Sequence, residues 1–273
     1  MTVLWLIALL TLLATSVVTI SLTHRRTVQR YAEATQADST IDSALRVVLL
    51  RLIAPSEQGT AWPLDQTQGL SIFEQNIAVT VQRELGRVDL NSADSDLLTA
   101  VFAANGWREK DARSMAARII DWRGPDDETV ADLTYGSHNG PLESVDELRQ
   151  VLGSERIGTD LFDAFTVFTH SPGPVESAAR PAVKRALEWA DARQLGGHRW
   201  LSTSRSGGSS LSGLSGTALS GEVLRVRACL HDQGMDHCRV AVIRLTGNRL
   251  SPFQIFEWRA APTLANTSTY SSG

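Results

Sequence analysis

An uncharged apolar stretch, Val3–Leu22, stands near the start of this chain. It contains no glycine and no proline. As an α-helix it would be about 30 Å long, which is the thickness of the hydrocarbon core of a bilayer. Its polar atoms are serine and threonine hydroxyls, which can bond to carbonyls of the same helix. The stretch therefore predicts a transmembrane helix over residues 1–22.

The helix is expected to continue beyond the membrane. A signal-peptide core is usually about 7–15 residues and precedes a small-residue cleavage site, whereas Thr23–Arg26 follow here. No glycine or proline occurs between Thr23 and Ala54. A continuous helix over Val3–Ile53 would be about 75 Å long. Its second half carries apolar residues at spacings of three and four, the pattern of one buried face: Ile41, Leu45, Val48, Leu49 and Leu52.

The arginines beside the apolar stretch bear on its orientation. Arg25, Arg26 and Arg30 follow it, whereas no basic side chain precedes it. The positive-inside rule would then keep the C-terminal part in the cytoplasm. A basic leader ahead of Met1 would reverse this balance. We expect such a leader, and a head on the far side of the membrane.

The composition points to no enzyme class. Charged residues make up 21% of the chain and the net charge is −4, so no global charge signal favours nucleic acid. The sequence has no Walker loop, no HEXXH, no GXSXG and no dinucleotide fingerprint. We therefore predict that the protein is not an enzyme.

Alternating apolar and polar residues predict strands at both ends of the head. Asn76–Glu84 is typical of a half-buried strand, and Arg87–Leu90 of a short second one. The preceding segment, Ser56–Gln75, is polar and irregular. Three more strands are predicted near the C-terminus, with a loop over 231–237 between the first two: Val223–Leu230, Arg239–Leu245 and Pro252–Arg259.

Helical signals fill the region between these strands. Ser92 is a predicted N-cap, and Gly106 a predicted left-handed helix end. Ser144 and Glu147 form the pattern of a capping box, in which each side chain satisfies a free backbone donor. Later apolar residues predict two further helices, one with Leu161, Phe162 and Phe165 and one with Val183, Ala186, Leu187 and Ala190.

This order of elements predicts an α+β fold with one interrupted sheet. A pilin-like long N-terminal transmembrane helix would pack on an antiparallel sheet, and a large all-α domain of helix-hairpin-helix or SAM-like type would be inserted between strands. The predicted segments are a transmembrane helix (1–22), the first part of the α/β core (23–90), the inserted helical domain (91–195), a Gly/Ser-rich linker (196–221), the C-terminal strands (222–262) and a disordered tail (263–273).

Several blocks of sequence carry a family resemblance. After the long N-terminal helix come GRVDLNSADSDLL, which begins at Gly86, and GPLESVDELRQVLG, which ends at Gly153. ARIIDWRGPDD lies between them, and FQIFEWR closes the predicted sheet. In order and spacing these blocks resemble the K-type minor pseudopilin (GspK) family of type II secretion systems. That family has a pilin-like head with a large helical domain inserted into it.

The resemblance implies a place and a set of partners. A protein of this family sits at the tip of a short periplasmic pseudopilus, initiates or caps the fibre, and serves export of folded proteins across the outer membrane. The implied partners are the I-type and J-type minor pseudopilins, the H type below them, the bacterial inner membrane and the secreted exoproteins. Ordinary pilins carry an early glutamate that pairs with a neighbour, but residues 1–23 contain no acid here. A tip subunit has no subunit above it to pair with.

An acidic loop is the candidate metal site. It contains Asp121, Asp126, Asp127 and Glu128, with Asp132 nearby. Grouped carboxylate oxygens suit calcium, and the helical domain of the resembling family binds calcium. The spacing is not that of an EF-hand. The alternative is a solvated acidic loop without a metal.

The two cysteines are the second candidate site. Cys229 and Cys238 lie nine residues apart in a predicted hairpin, so their Cβ atoms can face each other across the ladder. His231 and His237 beside them leave zinc as an alternative. In an oxidising compartment we favour the disulfide over zinc or free thiols.

A DNA receptor is the alternative function. The Asp-Leu-Asn-Ser-Ala block and the helices after it also resemble helix-hairpin-helix domains of membrane-tethered competence proteins. Residues 87–160 contain 8 basic and 15 acidic side chains, a net charge of −7. This charge repels phosphate, so we expect no nucleic-acid partner.

Overall fold

A computed structural model describes most of the chain. The described residues are 2–53, 62–124, 140–153, 158–193, 195, 197–201, 219–232 and 235–261. Most of the predicted Gly/Ser-rich linker and all of the predicted tail lie outside them. The fold is a mixture of helices and antiparallel strands, as the sequence predicted.

One helix runs through the first fifth of the chain. Helix α1 spans Thr2–Ile53 without a break, 52 residues or about 78 Å. Its second half buries one face from Ala37 to Leu52, and this face includes the five apolar residues predicted from their spacing. Within the described part of the chain, no helix combines the length and the apolar character needed to cross a membrane. The transmembrane helix over residues 1–22 stays a prediction.

A five-stranded antiparallel sheet packs against the second half of α1. Its strands are β1 (Thr67–Ile72), β2 (Gln75–Arg83), β5 (Val223–Asp232), β6 (Met235–Leu245) and β7 (Phe253–Ala261). They lie in the spatial order β1-β2-β5-β6-β7. One face of the sheet forms a core with α1. Strand β2 pairs directly with β5, although they are far apart in the sequence. The chain leaves the sheet at residue 84 and returns at residue 223.

Two strand predictions need correction. The segment predicted to be irregular contains β1, which pairs with β2 from Thr67 opposite Thr80 to Ile72 opposite Gln75. The predicted strand Arg87–Leu90 is only β3 (Val88–Asp89). It lies outside the main sheet and pairs in parallel with β4 (Phe165–Thr166). Both errors have one physical reason, since backbone pairing with a distant strand decides which residues are extended.

The residues between β2 and β5 form a second hydrophobic core. We call the described residues from Val88 to Trp200 the helical module. Its helices are α2 (Ser95–Ala104), α3 (Glu109–Arg123), α4 (Leu148–Val151), α5 (Thr159–Phe162) and α6 (Pro181–Asp191). The aromatic ring of Phe102, fully buried, lies 5.6 Å from that of Phe165 at the centre of this core.

Two of the three helix-end predictions in the module are confirmed. The capping box forms: Ser144 accepts from the backbone of Asp146, and Glu147 accepts from the backbone of Ser144. Gly106 has the predicted left-handed conformation, with φ of 100°. The predicted N-cap is wrong, because Asp94 rather than Ser92 caps α2 through the backbone N–H of Leu97 at 2.7 Å.

Two element boundaries also differ from the prediction. Phe165 belongs to β4 and not to the short helix, which ends at Phe162. The β5–β6 hairpin extends to Asp232 opposite Met235, so it is tighter than the loop predicted over 231–237. The backbone groups of His231 and Asp232 pair with those of Asp236 and Met235, so both strands are longer than predicted.

Candidate functional site

The junction between the sheet and the helical module is the most polar buried region of the described residues. Here a short 3-10 turn, Glu84–Gly86, leads from β2 into the module. The N–H of Val175 donates to the carbonyl of Leu85 at 2.7 Å, and the N–H of Arg180 donates to the carbonyl of Gly86 at 3.0 Å. These backbone bonds join the turn to the segment before α6. They fix where the module starts relative to the sheet.

Gly86 permits this close approach. A Cβ atom at this position would overlap the carbonyl oxygen of Ala178. The side-chain-free backbone lets the two segments touch, so the turn can pack directly on the 3-10 helix Glu176–Ala178.

A buried carboxylate lies at the centre of the junction. The side chain of Glu84 is fully buried. Arg225 on β5 donates to both of its oxygens, at 3.0 Å and 2.6 Å, and Arg87 donates to it at 3.0 Å. Such a paired geometry is needed to offset the desolvation of three charges. The pairs connect the start of the module with the centre of the sheet.

The environment of Glu84 favours its ionised form. Burial alone would raise the pKa of this carboxyl group, but the charges of Arg225 and Arg87 act in the opposite direction and are stronger together. The pKa of Glu84 is lowered to about 2. Glu84 therefore stays ionised throughout the neutral and mildly acidic range.

A second carboxylate extends this network into the module. Asp163 accepts from Arg87 at 2.7 Å and from Arg180 at 2.8 Å. Burial opposes ionisation of Asp163, but these two arginines lower its pKa below the usual value. Together, Glu84 and Asp163 join the turn after β2, strand β5, the end of α5 and the residue before α6 in one charged cluster.

Helix α1 is held to the sheet by its own ion pairs. Asp42 on α1 accepts from Arg239 on β6 at 3.0 Å and from the indole N–H of Trp258 on β7 at 3.1 Å. Asp38 lies 3.3 Å from the same arginine. These contacts place α1 across β6 and β7. Sequence patterns predicted the apolar stripe of α1 but not these polar partners.

The first turns of α1 expose large apolar side chains. Exposed fractions range from 62% for Leu6 to 79% for Trp5. The residues with this property are Val3, Leu4, Trp5, Leu6 and Leu12. An exposed apolar surface of this kind is typical of contact with a membrane or with other proteins.

The predicted calcium ligands fall mostly outside the described residues. Asp121 is exposed on the last turn of α3, just before Gly124 ends the helix. Asp126, Asp127, Glu128 and Asp132 lie in 125–139, which is not described. The described part of the chain contains no group of three or more histidine, cysteine or acidic residues that could hold a metal. The calcium site stays a prediction that rests on carboxylate donors.

The cysteines form a disulfide. Cys229 on β5 and Cys238 on β6 are directly opposite each other, and their sulfur atoms are bonded. His231 instead lies 2.6 Å from Asp236, so it pairs with a carboxylate across the hairpin. The structure therefore contains the favoured disulfide rather than a zinc site or free thiols.

Loss of this disulfide is expected to destabilise the protein moderately. Because the bond closes a loop of only nine residues in sequence separation, replacing both cysteines by serine should lower the free energy of unfolding by ~2–3 kcal/mol. Chemical denaturation of the two proteins measures the difference. Thiol titration of the unfolded wild-type protein, prepared without reductant, should find no free thiol. Two titratable thiols would contradict the disulfide.

The hairpin between α2 and α3 is the segment that a helix-hairpin-helix domain would use to bind DNA. Here it contacts another helix of the module. The side-chain amide of Asn105 donates to the carbonyl of Ala182 at 3.1 Å and accepts from Arg185 at 2.6 Å. These bonds attach the hairpin to α6. The side-chain amide of Asn105, next to Gly106, thus has a structural role in the module.

The chain resembles one solved assembly in its fold. No protein-family model and no curated protein matches the sequence. A chain in the crystal structure of the GspK-GspI-GspJ complex of the type 2 secretion system of enterotoxigenic Escherichia coli is similar, with a TM-score of 0.53. The identity is 14%, and the alignment covers 88% of this chain and 100% of that chain. The fold is pseudopilin-like.

Proposed function

We propose that this protein is a minor pseudopilin at the tip of a type II secretion pseudopilus. It initiates or caps fibre assembly for export of folded proteins across the outer membrane. The observation that carries this proposal is the helical module, which is inserted between two neighbouring strands of a pseudopilin-like head. The similarity to a chain of a minor pseudopilin complex supports the same function.

The module distinguishes a cap from a repeating subunit. A repeating subunit of a helical fibre needs free surfaces above and below for further copies. A domain as large as Val88–Trp200, held at a fixed position by the buried ion pairs at Glu84, occupies such a surface. Addition on that side is then blocked. The absence of an acid in residues 1–23 agrees with a subunit that has no neighbour above it.

The proposed location follows from the same function. The protein crosses the bacterial inner membrane once through residues 1–22, and its head lies in the periplasm. The exposed apolar side chains at the start of α1, such as Trp5, support burial of this segment in lipid or against other helices. The proposed partners are the I-type and J-type minor pseudopilins, with the H type below them.

Coexpression of full-length chains tests this assignment. We expect the protein to form a 1:1:1 complex with its I-type and J-type partners in detergent, with no self-polymerisation. Native mass spectrometry of the purified complex measures the ratio. A major pseudopilin from the same secretion system is the control, since it should not replace either partner. Regular incorporation of this chain along purified fibres would contradict a single-copy cap. So would binding to duplex DNA without binding to either partner.

We further propose that the acidic loop binds calcium through Asp121, Asp126, Asp127 and Glu128. A ligand that binds only the native state stabilises it by mass action. Chelation should therefore lower the melting temperature of the full-length protein in detergent. Asp127→Asn should reduce this difference between millimolar calcium and chelator, whereas Asp191→Asn on α6 should leave it unchanged. An equal melting temperature in calcium and chelator would favour the solvated loop.

A further inference from the structure

A cleft separates the helical module from the outer face of the sheet. It has a volume of about 150 Å³ and lies between β5–β7 on one side and the segments around α4 and α5 on the other. Arg225 and Arg227 point to this face because the residues that alternate with them, Leu224 and Val226, pack on α1. The stacked rings of Phe168 and Phe256, 5.5 Å apart, close one part of the boundary.

Arginine dominates the walls of the cleft. Five arginines line it: Arg87, Arg149, Arg225, Arg227 and Arg259. Three carboxylates line it as well: Asp146, Asp163 and Glu257. Adding the paired residues directly behind the wall, Glu84 and Arg180, gives six arginines and four carboxylates among the described residues. The cleft thus carries two positive charges in excess, although the whole chain has a net charge of −4.

Two of these arginines are placed to receive a ligand. The guanidinium of Arg149 lies over the ring of Phe162, 4.8 Å from its centroid. A stacked guanidinium keeps its N–H edge available for a planar acceptor. Arg259 lies across the cleft and is 44% exposed, so it is reachable from solvent. Its Nε pairs with Glu257, and another of its nitrogens lies 3.9 Å from Asp146.

The electrostatics of the wall favour an added negative charge. Burial lowers the pKa of Arg227, and the neighbouring charge of Arg225 acts in the same direction. The charges of Asp163 and Asp236 act in the opposite direction. A further negative charge in the cleft would add to their effect and favour the charged guanidinium.

We propose that this cleft binds a carboxylate, either of a small organic anion or of an acidic side chain on a neighbouring protein. A carboxylate matches the arginine fork in geometry and can accept two parallel hydrogen bonds. Small-molecule sites are usually ~300–1,000 Å³. The cleft is smaller than that, so it fits one short chain of atoms. The excess of arginine over acid selects an anion and rejects a cation.

Calorimetric titration of the full-length protein in detergent with glutarate tests the site. Glutarate carries the carboxylate of a glutamate side chain, and its uncharged diamide is the ligand control. At constant ionic strength we expect saturable binding of glutarate and none of the diamide. Arg149→Gln should weaken binding by about tenfold, because a hydrogen bond to a charged group is lost.

Arg193→Gln is the matched control for this substitution. Arg193 also lies over an aromatic ring, 4.0 Å from the centroid of Trp189, but it follows the end of α6 and does not line the cleft. Its replacement should leave glutarate binding unchanged. Arg259→Gln provides a second variant on the opposite wall and should weaken binding. Failure of the wild-type protein to bind glutarate, or equal binding by Arg149→Gln and Arg193→Gln, would overturn the proposal.

A competition experiment identifies the source of the carboxylate. This arm rests on the proposed function, whereas the titration with glutarate alone does not. If glutarate reduces binding of the I-type or J-type partner, and Arg149→Gln reduces it too, the natural ligand is an acidic side chain of that partner. If glutarate binds without affecting either partner, the natural ligand is a free anion. A cleft that binds no carboxylate would leave the 1:1:1 complex as a separate, still testable result.

Discussion

Replacing Glu84 by glutamine is expected to lower the free energy of unfolding by about 3 kcal/mol, since removing one partner of a buried ion pair leaves uncompensated charge. The variant keeps the shape of the side chain but removes the negative charge between Arg87 and Arg225. Arg87 would retain Asp163 at 2.7 Å, but Arg225 would retain only Glu257 at 3.9 Å. Urea denaturation at neutral pH measures the loss.

The same residue should make the stability depend on pH. The ordinary pKa of this carboxyl group is 4.5, and in the folded protein it is lowered to about 2. A lowered pKa in the native state stabilises the protein fully above the unfolded value. This stabilisation, on the order of 3 kcal/mol for such a shift, disappears as the pH falls from 4.5 towards 2. The difference between the wild-type protein and Glu84→Gln should therefore shrink over this range.

Glu188→Gln is the matched control. Glu188 is exposed on α6 and undergoes the same chemical change on substitution. Its replacement should change the free energy of unfolding by less than about 0.5 kcal/mol. If Glu84→Gln behaved like Glu188→Gln at neutral pH, the buried ion pairs would not contribute to the stability of the junction.

Gly86→Ala is expected to have an effect of similar size. The new methyl group would overlap the backbone carbonyl of Ala178. The backbone at Ala178 cannot move aside as the end of a flexible side chain can. The turn and the segment before α6 would have to separate, which would stretch the hydrogen bond from Arg180 to residue 86. Overpacking of this kind costs typically 1–3 kcal/mol, and we expect about 3 kcal/mol here. Thermal unfolding followed by circular dichroism measures it.

Gly158→Ala separates crowding from the general effect of removing a glycine. Among the described residues, no atom apart from the chain neighbours lies within 4 Å of the position that a Cβ atom would take on Gly158. The carbonyl of Gly158 accepts from the first turn of α5, so alanine here should lower the free energy of unfolding by less than about 1 kcal/mol. Equal stabilities of Gly86→Ala and Gly158→Ala would contradict the close approach at the junction.

Glu84→Gln and Gly86→Ala both act on the junction between the sheet and the helical module, which the proposed function requires. A cap works by holding its extra domain where the next subunit would bind. Glu84 and Gly86 belong to the same 3-10 turn, and through it the module is fixed by charge and by backbone contact. A weakened junction should therefore reduce capping before it prevents folding of the sheet.

Features that depend on near neighbours in sequence could be predicted. The buried stripe of α1 follows from a period of 3.6 residues, and the stripe Ile41–Leu52 is buried as predicted. The capping box needs only Ser144 and Glu147, three positions apart. The disulfide needs a hairpin with Cys229 and Cys238 facing each other, and the register supplies this. In each case the partners lie within one element, one turn or one hairpin.

Features that depend on distant partners could not be predicted. The polar segment around Thr67 is a strand because β2 lies beside it and satisfies its backbone groups. Asp94 caps α2 although Ser92 has the same local preference, and the indole N–H of Trp200 donates to Asp94 from the far end of the module at 3.0 Å. Neither outcome is visible in a local window of sequence.

The junction between the sheet and the module shows most clearly what could not be predicted from the sequence. Glu84 reads in sequence as the polar end of a strand, and its partner Arg225 lies 141 residues further along the chain. Gly86 reads as an ordinary turn, whereas the structure uses it for contact with Ala178. The sequence by itself determined the long helix, most of the other elements and the hairpin that brings the two cysteines together. Only the tertiary structure decided which charges are buried together, because burial of a charge depends on every segment that removes water from it.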